Sequence, residues 1–254
     1  MNDKYVLELK GVSVSYSPKN EAVKNVSVSI RSNAITSIIG SVGCGKSSLL
    51  RSINRMHELY PCIKVTGEIL LNGKDILTMN PIEVRRRAGM VFQTPNPFLN
   101  MSIYQNVLSG YSINKIPLSK IEKEEIVENC LKGVFLWNEV KDDLRKKACS
   151  LSAGQQQQLC IARTIALNPE LLLMDEPTSS IDFACSNRIE ELIHQLKDKH
   201  TIIVVPGSLS QASRISDYTM FMEDGELVEF DTTNEIFVNP KDKRTEKYII
   251  GQSE

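Results

Sequence analysis

The sequence predicts an α/β fold with a parallel-sheet core, an antiparallel β subdomain and an inserted α-helical subdomain. Three observations predict it. Leu171-Leu-Leu-Met174 and Thr201-Ile-Ile-Val-Val205 are apolar on both sides, as central parallel strands covered by helices are. The first thirty or so residues alternate instead, in Val6-Leu-Glu-Leu9, Val12-Ser-Val14 and Val26-Ser-Val28-Ser-Ile30, which is the period of strands with one wet face. From about Pro95 to Cys149 the spacing turns helical, with Ile121, Glu124, Glu125, Val127, Glu128 and Leu131 on mixed faces.

The remaining elements follow in chain order. Ala34-Ile-Thr-Ser-Ile-Ile39 reads as a buried strand, and Ser48-Leu-Leu-Arg-Ser-Ile-Asn54 as a helix. A strand pair is expected around Gly67-Glu-Ile-Leu-Leu-Asn-Gly73, and a short buried strand at Gly89-Met-Val-Phe-Gln93. Ser152 with Gln155 has capping-box spacing, Leu159, Ala162, Ile165 and Ala166 continue at helical spacing, and Asn168-Pro169 stops the helix. Tyr218-Thr-Met-Phe-Met-Glu223 and Glu226-Leu-Val-Glu-Phe230 flank Asp224-Gly225, a two-residue hairpin signal. The expected organisation is a single domain over 1–254. Segments 1–94 and 159–254 form the core with its antiparallel subdomain, and 95–158 forms the helical subdomain.

Composition narrows the function. Thirty basic residues against 31 acidic ones leave no field directed at nucleic acid. No apolar run approaches the roughly 18 residues that span a bilayer, and Met1-Asn-Asp-Lys-Tyr5 has no apolar signal segment. Six cysteines without a C-x-x-C pair argue against a zinc site or a disulfide framework. The expectation is a soluble cytoplasmic chain that meets any membrane through a partner.

Gly40-Ser-Val-Gly-Cys-Gly-Lys46-Ser47 fits the phosphate-binding pattern G-x-x-x-x-G-K-[ST] in full, between a strand and a helix. Gly40, Ser41, Val42, Gly43, Cys44, Gly45 and Ser48 would turn backbone N–H groups and the helix N-terminus toward phosphates. Lys46 would meet the β- and γ-phosphates, and the Ser47 hydroxyl would meet magnesium. A flexible glycine-rich turn is the plain alternative. Cys44 sits inside this loop, where amides and the helix dipole would lower its pKa, so that alkylation there would block nucleotide binding. The bland reading is a small residue that fits.

Leu171-Leu-Leu-Met174 ends in Asp175-Glu176, two carboxylates at the tip of a buried strand, at the sheet end where ligands bind. Successive residues point to opposite faces, so the two acids need not share a job. Asp175 would hold magnesium through water, and Glu176 would act as general base toward the water that attacks the γ-phosphate.

Leu151-Ser-Ala-Gly-Gln155 resembles the Leu-Ser-Gly-Gly-Gln signature of ABC-type ATPases, and the resemblance extends over essentially the whole chain. An ordinary capped helix is the alternative for this stretch. The resemblance implies a P-loop NTPase of ABC type, working as a head-to-tail homodimer. Ser152, Gly154 and Gln155 of each copy would then cap the ATP held by the other. It also implies that Gln93 reaches magnesium and the attacking water, and that its loop couples to a membrane subunit. Tyr16 would stack on adenine, although a tyrosine at a strand end is often mere packing. Ser179-Ser-Ile-Asp182 resembles the segment that crosses the dimer interface.

Several segments resemble the ATPase subunits of phosphate importers in particular. They are Asn54-Arg-Met-His-Glu-Leu-Tyr-Pro61, Met90 to Phe98, Leu136 to Asp143, Leu151 to Arg163, Phe237-Val-Asn-Pro240 and Thr245 to Gly251. This implies transmembrane permease subunits as partners, a phosphate-binding protein outside the membrane acting indirectly, and a place on the cytoplasmic face of the membrane. ATP and Mg2+ are the expected ligands. Phosphate rests on resemblance alone, because in the resembled family the ATPase subunit does not touch the transported ion.

The pattern breaks after Val205. The resembled family carries Thr-His there, which implies a histidine contact to the γ-phosphate and the attacking water, and this chain has Pro206-Gly207. His200 cannot stand in, because seven residues at about 3.3 Å each put it roughly 20 Å away. His57 and His194 read as helix residues. Ala153 replaces the first signature glycine, and Gln158 stands where arginine is usual. Losing one γ-phosphate contact costs about 2–4 kcal/mol of transition-state stabilisation. A catalytically weak regulatory subunit is therefore the alternative to an importer ATPase. A DNA-repair or chromosome-type ATPase would need a coiled coil that is absent, and a translation-associated relative would carry two such domains in one chain.

Overall fold

The computed structural model describes residues 5–17 and 20–251. Two long strands, β1 (Tyr5–Ser17) and β2 (Asn20–Arg31), pair antiparallel, followed by the fully buried β3 (Ile35–Ile39). Helix α1 (Lys46–Ile53) leads through a 3-10 turn at Met56–Leu59 to β4 (Lys64–Leu71) and the short β5 (Lys74–Asp75). Helix α2 (Pro81–Arg87) starts on an Asn80 cap with proline in its first turn, and β6 (Ala88–Val91) follows directly. Three helices then make the inserted lobe: α3 (Ile103–Ile113), α4 (Lys120–Gly133) and α5 (Trp137–Val140). Ser102 and Ser119 open α3 and α4 with complete capping boxes.

The chain returns through α6 (Ala153–Ile165) into β7 (Leu171–Asp175), α7 (Phe183–Leu196) and β8 (Thr201–Val205). It closes with α8 (Leu209–Ile215), the hairpin of β9 (Tyr218–Glu223) and β10 (Glu226–Thr232), and the helices α9 (Thr233–Val238) and α10 (Lys243–Gly251). The expected turn falls at Asp224-Gly225, and the strand pair around Gly67–Gly73 turns at Asn72-Gly73; all four turn residues have left-handed backbones. Helix α6 runs unbroken through 158 and 159, so the lobe and the core share one helix.

Two sheets result. One is antiparallel, in the order β2-β1-β4-β5, and the other runs β10-β9-β3-β8-β7-β6 with only β10 antiparallel. Alternate residues of the central strands feed different cores. Leu171, Leu173, Ile203 and Val205 pack with Leu49, Leu50 and Ile53 of α1 and with the inner face of the antiparallel sheet. Leu172, Met174, Ile202 and Val204 pack with Val107, Leu131, Leu159 and Ile193 on the helical side. That division is why both faces of β7 and β8 are apolar in the sequence.

Among the described residues no helix is long and apolar enough to cross a membrane, and all six cysteines are free. Leu173 is fully buried in the first core. Leu173→Ala should lower unfolding stability by about 2–5 kcal/mol in denaturant titrations, and a loss below 1 kcal/mol would show that this core collapses around the gap.

Candidate nucleotide-binding site

Four neighbouring parallel strands place the site. In β3, β8, β7 and β6, Asp175 lies opposite Val205, Met174 opposite both Val204 and Val91, and Ser37 opposite Val204. Their C-terminal ends therefore release four loops side by side, at residues 40–45, 206–208, 176–182 and from 92 onward.

The loop at 40–45 is shaped by close backbone contacts. Gly40 has φ 146°, and an added Cβ would stand 2.1 Å from the Met222 carbonyl oxygen. At Gly45, with φ 105°, a Cβ would stand 2.1 Å from the Ala22 carbonyl oxygen. Only glycine fits at either place. The Gly225 N–H donates to the Cys44 carbonyl at 3.1 Å, and the Lys24 N–H donates to the Gly225 carbonyl at 2.8 Å. Strand β2 and the β9–β10 turn thus clasp the loop from behind.

On the other side the loop is open. A Cβ on Gly43 would meet no heavy atom within 4 Å, and Val42 at the tip is fully exposed. Lys46 folds over the loop, its Nζ donating to the carbonyls of Gly40 at 2.7 Å and Ser41 at 2.8 Å. A lined hollow, loop amides, a lysine and a helix N-terminus suit the phosphates of a nucleotide. Tyr16 flanks the start of α1, where its hydroxyl and that of Ser48 share a hydrogen bond of 2.9 Å.

The two acids part as their alternation requires. Asp175 is buried, accepts from Ser47 Oγ at 2.8 Å and pairs with Arg51 at 3.2 Å. A serine hydroxyl beside a carboxylate is a hard-oxygen donor set, which fits Mg2+. Glu176 leaves the strand with a left-handed backbone, φ 46°, its N–H donating to the Val205 carbonyl at 2.9 Å. Its Oε2 accepts from Gln93 Nε2 at 3.0 Å and from Ser179 Oγ at 3.0 Å. One cleft of about 170 Å³ is lined by Gly40, Ser41, Lys46, Glu176, Gly207 and Tyr248. Larger clefts, of about 530 Å³ beside Arg87 and Glu170 and about 450 Å³ along α3, hold none of the expected site residues.

The signature turn stands apart from this cleft. Ser152 Oγ accepts from the Gln155 N–H at 3.3 Å, and Gln155 Oε1 accepts from the Ser152 N–H at 3.0 Å, completing the capping box. Gln155 also donates to Glu139 at 2.8 Å, which is held by Arg188 at 2.6 Å. Gly154 packs so closely on α7 that a Cβ would lie 2.3 Å from Cys185 Sγ. Ser152 and Ala153 are exposed.

Three residues of the site carry no sequence motif. Arg51 pairs with Asp175, and Tyr248 of α10 lines the cleft and stacks on Phe221 with 4.9 Å between ring centroids. Buried Gln157 donates to the carbonyls of Phe92 and Pro177, both at 2.9 Å, and so ties α6 to the loops of Gln93 and Glu176. The helical spacing of 151–166 could have flagged Gln157, because it puts a polar residue among buried neighbours. His200 is buried at the start of β8 with Nδ1 at 2.7 Å from the Pro169 carbonyl, far from the cleft.

One expectation is corrected. Burial pushes the Cys44 thiol above its ordinary range, against the pull of Lys46, where the loop amides were expected to lower it. Its side chain belongs to the core under α1.

A strand, phosphate loop and helix, a second strand ending in paired carboxylates, and a capped signature turn define an ABC-type ATPase. The chain belongs to the ABC transporter family, whose profile matches residues 23–179. It is 47% identical over 253 residues to the phosphate import ATP-binding protein PstB of Tropheryma whipplei strain Twist, across 97% of this chain and 98% of that protein. The PstB of strain TW08/27 matches equally, at 47% over the same lengths. The solved structure of cbiO1 from Clostridium perfringens, part of the ABC transporter complex cbiONQ, superposes with a TM-score of 0.80. It is 25% identical and the match covers 99% of this chain and 98% of that one.

The burial of Cys44 has a direct consequence. A maleimide at neutral pH should label the exposed Cys62 and Cys149 within minutes, and Cys44 only in denaturant, as read by peptide mass spectrometry. Labelling of Cys44 at the rate of Cys62 in the native protein would contradict it.

Proposed function

We propose that this chain is the ATP-hydrolysing subunit of an importer of inorganic phosphate, working as a head-to-tail homodimer beneath permease subunits on the cytoplasmic face of the membrane. The ATPase chemistry is carried by one observation: Glu176, held by Gln93, shares a cleft with the phosphate loop. The import of phosphate is supported by near full-length identity to PstB proteins. A phosphate-binding protein outside the membrane would act on this chain only through the permease.

In this reading the amides of residues 40–48 and the Lys46 ammonium take the phosphates of ATP, and Tyr16 stacks on adenine. Ser47 and Gln93 would hold Mg2+, and Asp175 would hold it through water. When bound, it would supply positive charge against the phosphates. Gln93 orients the attacking water and Glu176 accepts its proton as the water oxygen bonds to the γ-phosphorus. The bond from that phosphorus to the β–γ bridging oxygen breaks, leaving ADP and phosphate.

The surface supports partners on two sides. No residue of 152–155 lines the phosphate cleft among the described residues, so the signature turn is available to a second copy's nucleotide. Val42 and Phe183, both exposed, flank the faces that such a copy would cover. Phe98, Leu99 and Met101 are exposed shortly after Gln93 in the chain, apolar side chains that a permease segment would cover in this reading. A charge balance near zero supports no nucleic-acid partner. The relatives lend nothing to the alternative of a weak regulatory subunit.

Reconstituted with permease and binding protein, the chain should hydrolyse ATP faster when phosphate is supplied. Equal stimulation by sulfate would refute the phosphate assignment. Glu176→Gln should cut turnover at least about a hundredfold while ATP still binds and stabilises the dimer in light scattering. Undiminished turnover would remove Glu176 from the role of base.

A further inference from the structure

We infer that Ser179 positions the Glu176 carboxylate, and that Gly207 leaves room for the Ser179 hydroxyl that does so. This rests on Glu176 as the base. Ser179 closes a turn on Glu176, its N–H donating to the Glu176 carbonyl at 3.2 Å, and its Oγ reaches Oε2 at 3.0 Å. Gln93 donates to the same oxygen at 3.0 Å. Two donors on Oε2, and none on Oε1 among the described residues, fix the plane of the carboxylate and leave one oxygen to take a proton. Such preset orientation is what a general base requires.

Gly207 borders this contact. A Cβ built on it would stand 2.9 Å from Ser179 Oγ, closer than real Cβ atoms approach, and no other atom lies within 3.7 Å of it. The glycine cannot drift aside. Its N–H donates to Gln211 Oε1 at 2.8 Å, and Gln211 Nε2 donates to Thr178 Oγ1 at 3.0 Å and Glu190 at 3.1 Å. Gln211 and Thr178 are buried, so this amide locks the turn after β8 to the loop after β7. With the backbones held, a methyl at 207 is accommodated by a shift of the exposed Ser179 side chain, at the expense of its bond to Glu176.

The test is a double-mutant cycle on ATP turnover in the assembled transporter, with Glu176→Gln in the same assay. Ser179→Ala should lower kcat about tenfold, the size of one charged hydrogen bond, with KM for ATP changed less than about twofold. Gly207→Ala should give a similar loss. The double variant Ser179→Ala/Gly207→Ala should be no slower than Ser179→Ala alone, because the methyl then has no hydroxyl to displace. Losses that multiply, a silent Gly207→Ala, or an effect confined to KM would overturn the inference. If Glu176→Gln turns over like the parent, the assignment of the base itself fails; if it is dead while the losses multiply, only the Ser179–Gly207 coupling fails.

Discussion

The whole catalytic edge depends on four short parallel strands ending together. Strands β3, β8 and β7 contribute five residues each and β6 four, and β3, β7 and β8 are buried throughout. Alternate side chains enter two separate cores, so a slip of one residue would exchange the contents of both. Register is thereby held by packing on two faces at once. The same register brings the tip of β7 level with the end of β8, and the phosphate loop beside both. The antiparallel sheet has a second part in this arrangement. Its strand β2 brings the Ala22 carbonyl against Gly45 and the Lys24 amide against the hairpin that holds Cys44. The loop keeps its shape because two sheets close on it, and its glycines are the residues that let them approach.

Below the four loops, two buried glutamines do the joining. Gln157 reaches from the lobe-sharing helix to the carbonyls of Phe92 and Pro177, and Gln211 joins Gly207, Thr178 and Glu190. A buried carbonyl that loses such a donor carries its full desolvation penalty, about 1–3 kcal/mol. The loops of Gln93 and Glu176 are therefore fastened to α6, the helix that begins with the signature turn. A displacement of that turn would be felt at both loops through a side chain no longer than a glutamine. On the outer side, Glu139 and Arg188 fasten the turn to α7, which starts at the Asp182 cap of the loop that leaves Glu176.

Local chemistry was legible in the sequence wherever one segment carries its own reason. The phosphate loop, the capping box at Ser152, the Asp224-Gly225 hairpin and the doubly apolar strands all appear where their spacing predicts them. What the chain brings together from afar was not legible. Arg51 meets Asp175 across 124 positions, and Tyr248 reaches the cleft from the last described helix. The Cys44 thiol shows the limit most plainly. Its neighbours in sequence are loop amides and a lysine, which would lower its pKa, but its neighbours in space include the apolar residues of a core that the sequence does not place beneath it.

Position 207 reverses the usual reading of a missing side chain. In the sequence, glycine at this place is a deletion, and it suggests lost transition-state stabilisation. In the fold the volume above Gly207 is not vacant, because Ser179 Oγ stands where a Cβ would bring its contact to 2.9 Å. The hydroxyl that occupies it points to Oε2 of Glu176. Two residues 28 positions apart therefore come side by side at the cleft. This chain holds the Glu176 carboxylate from two donors, Gln93 and Ser179, and the glycine at 207 borders one of them.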